Sequence, residues 1–193
     1  HKYLKLFGDT IMKGKVGIYV DAVNVTMNGG FGLRYDVLRK FACREGMTPS
    51  RMNVYLAFDE RRAEEDPDYK NKTTRFSEVL RDFEYKVIKK PVQYYRDTET
   101  DEIITKSTVD MDMAVDMITQ ADDMDKLVLL TNNGSYVSVV DAVQRKGTRV
   151  ELVGFDDMST NLKKESDVYI SGYLIPGLLP IESPYGWGEP GSK

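Results

Sequence analysis

The chain has very little of the two residues that most often carry side-chain chemistry. Cys43 is the only cysteine and His1, at one end, the only histidine among 193 residues. A single thiol forms no intrachain disulfide and no cysteine cluster for zinc, which fits a reducing compartment. The lone terminal histidine excludes serine-histidine and cysteine-histidine nucleophile systems. An active site in this chain therefore rests on carboxylates. Long apolar runs are missing too: no stretch of 18 apolar residues occurs, and the first residues lack the basic, apolar, small-residue order of a secretory signal. The expectation is a cytoplasmic protein with no membrane partner. A net charge of −4 with pI about 5.2 excludes a strongly basic surface while leaving room for a local basic patch.

What is present is the material of one globular domain: 41% hydrophobic and 30% charged residues. At this size about 70% of the unfolded chain's surface is buried on folding, so the core stands without staples. The expected organisation is an N-terminal extension over 1–14, a single domain over 15–174, and a Pro/Gly-rich tail over 175–193 that holds Trp187. Residues 1–11 precede a Met12-Lys13-Gly14-Lys15 run that resembles a natural start. The tail reads as an ordered strap or flexible end, with a partner-binding segment as the alternative.

Between these ends, apolar β-branched runs alternate with helical periodicities. Strands are expected at Val16–Val20, Met52–Phe58, Leu127–Leu130, Val150–Phe155 and Val168–Ile170. Tyr85–Tyr95 is strand-like with Pro91 inside it, which predicts an edge or a bulge, and Ile103–Thr105 is expected to pair back as a hairpin arm. Helices are expected after Gly32, from Pro67, around Val137–Val143 and at Leu162. In the mid-chain helix, Thr108–Gln120, Met111, Ala114, Val115 and Ile118 fall at i, i+3, i+4 and i+7 and predict the buried stripe. This alternation specifies a three-layer α/β/α Rossmann-like sandwich with a mainly parallel central sheet, which binds ligands at the carboxyl ends of its strands.

Three residues fall at such positions: Asp21 after the first strand, Asp110 at the start of the mid-chain helix, and Asn133 after the Leu127–Thr131 strand. Clustered carboxylates bind Mg²⁺ or Mn²⁺, which activates a water for attack on a phosphodiester. Each residue also has a structural reading. Asp21 could cap a loop, Ser107-x-x-Asp110 is a capping-box pattern, and Asn132-Asn133-Gly134 is an ordinary turn sequence. Asp112 reads as part of a solvated helix face, Asp116 as a neighbour of the site or an ion-pair partner, and Asp141 as a surface residue. No G-x-G-x-x-G follows the first strand, which excludes a dinucleotide-binding dehydrogenase.

Several motifs in order resemble the NYN domain family, in its LabA-like branch, of the PIN-like nuclease superfamily. Gly17-Ile18-Tyr19-Val20-Asp21-Ala22-Val23-Asn24 is similar to the family's opening strand and D-x-x-N motif. Lys106-Ser107-Thr108-Val109-Asp110, running on to Asp116, is similar to its K-x-x-V-D motif and helix. Leu129-Leu130-Thr131-Asn132-Asn133-Gly134-Ser135-Tyr136 aligns with its S-G-D-x-D-F element. Gly147-x-x-Val150-x-Leu152-x-Gly154 and Ser166-Asp167-x-Tyr169-Ile170 match its closing strands. The resemblance covers about residues 15–171 and implies a Mg²⁺- or Mn²⁺-dependent endoribonuclease leaving a 5′ phosphate. It implies Asp21, Asp110 and position 133 as metal ligands and Asp116 as an accessory acid. Asn24, Thr131, Ser135 and Lys106 would contact substrate.

The departure from the pattern lies at Asn133 and Ser135, where the family carries two aspartates. Asparagine keeps an oxygen but removes the charge that holds a hard cation. Two explanations stand: natural divergence to a non-catalytic module that binds nucleic acid or a partner, or a single Asp-to-Asn change that inactivates a nuclease. We read the chain as the second, with the binding module as the alternative. RNA is the expected partner, steered by Arg61, Arg62, Lys70, Lys72 and Lys106, for which a solvated surface is the competing reading. Homodimerisation through an exposed helix face is a further expectation of the resemblance.

Overall fold

The computed structural model of the protein describes residues 14–27 and 32–179. The expected extension before residue 14 and the tail from 180 on, with Trp187, lie outside the described residues.

Six strands form one parallel sheet: β1 (Lys15–Asp21), β2 (Thr48–Phe58), β3 (Lys86–Pro91), β6 (Lys126–Leu130), β7 (Arg149–Gly154) and β8 (Val168–Ser171). Their order is β3-β2-β1-β6-β7-β8. The chain builds outward from β1 in one direction, then returns to β1's other side and builds the opposite way. The order thus reverses between β1 and β6, and such a switch point opens a crevice at the carboxyl ends of the two strands. β1 and β6 are buried throughout except at Lys15, as expected of near-continuous apolar runs covered on both faces.

Alternate residues of these strands feed two cores. Ile18, Val20, Val54, Leu56, Val128 and Leu130 face the layer made by α1 (Ala22–Met27), α2 (Tyr35–Ala42) and α4 (Pro67–Asp82). Tyr19, Tyr55, Leu127, Leu129 and Leu152 face α5 (Val109–Gln120), α6 (Val137–Arg145) and α7 (Thr160–Glu165). This is the three-layer α/β/α sandwich read from the sequence. A short helix, α3 (Glu60–Glu65), links β2 to α4.

Two sequence expectations need correction. The Tyr85–Tyr95 run divides at Val92: β3 is the edge strand, with Pro91 at its end, where its missing N–H costs no ladder bond. The rest becomes β4 (Gln93–Arg96), which leaves the sheet to pair antiparallel with β5 (Ile103–Lys106). The second correction concerns the buried stripe of α5. Val109, Met113 and Met117 are buried, while Met111 and Val115 are exposed. The helix is apolar on both sides, so periodicity alone offers two rows. The sheet-facing row is chosen by polar partners: Asp116 and Gln120, on the same side as Met113 and Met117, meet hydroxyls of the sheet.

Beyond β8 the chain does not leave the body at once. Ile175 and Leu178 are buried in the first core, and the Leu178 carbonyl accepts the Arg34 N–H at 2.8 Å. The first residues of the expected tail are thus a strap over α2.

Candidate functional site

The crevice between β1 and β6 is built by backbone ends and the side chains that hold them. Asp21 ends β1 with its carboxylate on the α5 side, and it is 5% exposed. Its two oxygens meet neutral donors: Oδ1 accepts the Asn24 N–H at 3.2 Å and Oδ2 the Thr131 hydroxyl at 2.9 Å. The first bond is the cap reading of Asp21, and it starts α1 directly off the strand. Burial raises the Asp21 pKa above the usual carboxylate range. The Asn24 and Thr131 bonds oppose that rise, and the charge of Asp110 adds to it.

Asp110 sits in the first turn of α5 with its carboxylate exposed to solvent. The capping box expected from Ser107 and Asp110 is not formed. Thr108 occupies the cap without a side-chain bond, and Asp110 Oδ1 accepts only the neighbouring Met111 N–H, at 3.0 Å. Asp110 is therefore free for another role. The Tyr136 hydroxyl, which burial pushes far above its ordinary range, is pushed further by the charges of both Asp21 and Asp110. It donates to the Met113 sulfur at 3.5 Å. Tyr136 thus marks a place where the two carboxylates act on one point.

The loop after β6 closes the crevice. Thr131 bridges Asp21 and the Asn133 N–H, which its oxygen accepts at 3.1 Å. Asn132 is buried and bonded at three points. Its N–H donates to Asn24 Oδ1 at 2.7 Å, its Oδ1 accepts the Phe155 N–H at 3.0 Å, and its Nδ2 donates to the Asp156 carbonyl. It ties the ends of β1, β6 and β7 together, and losing it would strand buried groups at about 1–3 kcal/mol each. Gly154 is required beside it, since a Cβ there would lie 2.6 Å from Asn132 Oδ1.

Asn133 is half-buried, and its Oδ1 accepts the Ser135 N–H at 2.9 Å. The turn reading is thereby realised: its one side-chain oxygen caps the short Gly134–Tyr136 turn. Ser135 is exposed on that turn. Lys106 ends β5, exposed, three residues before α5. Asp116 stands apart from this crevice. It accepts the Tyr55 hydroxyl at 2.7 Å in a network where Asn53 Nδ2 donates to Tyr55 at 3.0 Å and the Tyr19 hydroxyl donates to Gln120 at 2.5 Å. That network fastens α5 to β1 and β2 and so holds Asp110 over the crevice. Asp112 pairs with Lys90 at 2.7 Å, joining the first turns of α5 to β3. Asp141 pairs with Arg145 on the surface at 3.0 Å.

The sequence brings out Asp21, Asp110 and Thr131 but not Tyr136, Tyr55, Tyr19 or the Asn132 clamp. Tyr19 and Tyr55 alternate with aliphatic residues like any core position, and only their register opposite α5 makes them positioning groups. Among the described residues no group of three His, Cys, Asp or Glu side chains is placed to hold a metal. Two carboxylates still satisfy the minimum for Mg²⁺, which keeps most of its waters and takes further ligands from substrate phosphates. A cavity of about 330 Å³ lined by Asp36, Arg39, Lys40, Cys43 and Phe83 includes none of these residues. No helix of the described residues is long and apolar enough to cross a membrane.

Comparison with known proteins agrees with this architecture. The solved structure of a protein of unknown function from Vibrio parahaemolyticus superposes with a TM-score of 0.65 at 23% identity, covering 82% of this chain and 93% of that one. At that identity the likeness establishes the fold alone. No curated protein matches. The NYN domain family, in contrast, matches residues 15–179, from the first residue of β1 to the end of the strap. That span takes in both carboxylates, the Asn132 clamp and all six strands, so the chain belongs to the NYN domain family, within the PIN-like nuclease superfamily.

Proposed function

We propose that the crevice is the site of a metal-dependent endoribonuclease of LabA-like type, weakened in this chain by the neutral residue at position 133. The observation that carries the reading is Asp21: a buried carboxylate at the switch point with no cation beside it among the described residues and a second carboxylate acting on it. Such a pair is costly unless an external cation neutralises it. Mg²⁺ or Mn²⁺ bound there would lower the pKa of a water and stabilise charge on the phosphate. Asp21, pinned by Asn24 and Thr131, is the rigid ligand, and Asp110 on the exposed turn is the one that meets solvent and substrate.

The chain's own groups divide the remaining work. Asn132 and Gly154 hold the loop so that Thr131 stays on Asp21. The Tyr19, Asn53, Tyr55, Asp116 and Gln120 network sets the height of α5. Lys106 stands ready to meet a phosphate next to Asp110. Asn133 caps its turn where the family's aspartate would add the third charge. The commitment of its oxygen to Ser135 favours the second reading, a module that holds nucleic acid without cutting it.

The test is cleavage of a mixed single-stranded and structured RNA pool with Mn²⁺ or Mg²⁺. Asn133→Asp is expected to raise activity, and Asp21→Ala in that background to remove it by on the order of 10²–10³-fold, the scale of deleting one preorganised charge. If Asn133→Asp cuts no faster while RNA remains bound, the binding module is the function.

A further inference from the structure

The carboxyl ends of β2 and β3 carry a second cluster that the crevice does not use. Phe58, Tyr69 and Tyr94 gather around Asp59, the cap of α3: Phe58 and Tyr69 stack at 5.9 Å and 14°, the Tyr69 hydroxyl accepts the Asp59 N–H at 2.9 Å, and the Tyr94 hydroxyl donates to the Asp59 carboxylate. Each ring is half-buried and carries an exposed cation on its face. Arg61 lies 3.9 Å from the Tyr94 centroid, Arg62 4.3 Å from that of Tyr69, and Lys89 3.9 Å from that of Phe58. Among the described residues neither Arg61 nor Lys89 has an ion-pair partner, and Arg62 has only Asp66 at 3.8 Å. Six carboxylates fall in the same 59–68 segment, so the feature is not a net positive patch but three cations lying over three neighbouring rings.

The cluster adjoins the crevice. Asp21 is in register with Tyr55, and Phe58 lies three residues further along the same strand, about 10 Å at 3.3 Å per residue. Lys90, next to Lys89, grips Asp112 two residues from Asp110. By strand alternation Phe58 and Lys89 fall on the α4 face of the sheet and Asp21 on the α5 face, so a chain passing from the rings to the two carboxylates crosses the carboxyl edge of β2 and β3.

We propose that this cluster is the platform on which single-stranded nucleic acid lies as it enters the Asp21–Asp110 crevice. Unpaired bases stack on the Arg61 and Arg62 guanidinium planes and the rings beneath them, while Lys89 and the guanidinium edges hold phosphates. Duplex hides the base faces that such a surface reads, so the platform selects single strands. The inference rests on the nucleic-acid reading of the crevice and concerns binding, not cutting.

The experiment is fluorescence anisotropy of the full chain in EDTA with labelled strands of about twelve nucleotides, inside the span of common single-strand sites. The probes are single-stranded RNA, single-stranded DNA of the same sequence, and the RNA duplex. Arg61→Ala/Arg62→Ala is expected to weaken single-strand binding about tenfold and to flatten its salt dependence by about 1.4 in log–log slope, for two phosphate contacts. Tyr94→Leu is expected to weaken it and Tyr94→Phe, which keeps the ring, to leave it nearly unchanged. Arg81→Ala/Arg145→Ala removes the same charge elsewhere and is expected to change binding less than twofold. An equal loss in that control, an equal loss for duplex, or no single-strand binding at all overturns the proposal; thermal melts of each variant separate lost contacts from lost folding. Tighter RNA than DNA binding identifies RNA as the occupant, and equal binding identifies either strand. Because the binding assay contains no divalent ion, it is independent of catalysis: absent cleavage in the separate Mn²⁺ or Mg²⁺ assay with intact platform binding counts against the nuclease reading alone. Cleavage by Asn133→Asp that ignores the platform variants counts against the platform alone.

Discussion

Two buried carboxylates at opposite ends of the same sheet keep very different company. Near the amino ends of the strands, Glu151 of β7 is 4% exposed and neutralised twice: Arg44 donates to Oε1 at 2.8 Å, and the Lys126 ammonium lies 3.6 Å from Oε2. At the carboxyl ends Asp21 is just as buried and, among the described residues, has only a backbone N–H and a hydroxyl for partners. Burial lowers the Lys126 pKa, and Glu151 opposes that shift by favouring the charged ammonium. Burial raises the Asp21 pKa, and the charge of Asp110 raises it further. One end of the sheet thus uses charge to complete itself. The other leaves a charge that only something from outside can complete, which is the physical mark of a site.

The contrast is sharp enough to break. The largest effect on stability is expected at the closed end: Glu151→Ala leaves Lys126 buried without an anion and costs about 3–5 kcal/mol, read from the urea midpoint. A loss below about 1 kcal/mol would mean that the two ends do not differ in the way described. A middle effect is expected where the open end is braced. Gly154→Ala drives a methyl against Asn132 and Met158 and costs about 1–3 kcal/mol in thermal unfolding. The Phe155 amide proton, which Asn132 accepts, should exchange faster in that variant.

The smallest effect has the opposite sign and sharpens the comparison most. With its folded pKa above its unfolded one, Asp21 binds more protons in the native state, so stability falls as pH rises through that window and stays lowered above it. Asp21→Asn is therefore expected to raise the Tm by about 2–4 °C at neutral pH and to give no gain below the usual aspartate range. The same substitution removes the proposed activity. A variant that is more stable and dead would place Asp21 among groups held at a cost for function. A variant that is less stable would make it a simple loop cap.

Most of the architecture was legible because the strands are short and apolar and the helices between them are capped by turn residues. Asp21 and Asp110 were legible for a related reason: each falls at the end of an element whose position the alternation already sets. The buried row of α5 was not, because Met111-Ala114-Val115-Ile118 and Val109-Met113-Met117 satisfy the same periodicity. Asp116, read as a neighbour of the site or an ion-pair partner, has as its partner the Tyr55 hydroxyl, which no periodicity could supply. The platform was half legible, since Arg61 and Arg62 stood out as cations while the rings under them sit on three different elements.

Fold class, family and the two acids at strand and helix ends were readable from the linear chain. These follow from local pattern and residue type, which need no knowledge of distant neighbours. It took the folded chain to show that, among the described residues, Asp21 has no cation while Glu151 is paired, that Asn132 rather than Asn133 clamps the loop, and that three rings and three cations share one surface. Such facts depend on burial and on contacts between residues as far apart as Asp21 and Thr131, 110 positions along the chain. Charge is cheap or costly only by what surrounds it, and the surroundings exist only once the chain has folded.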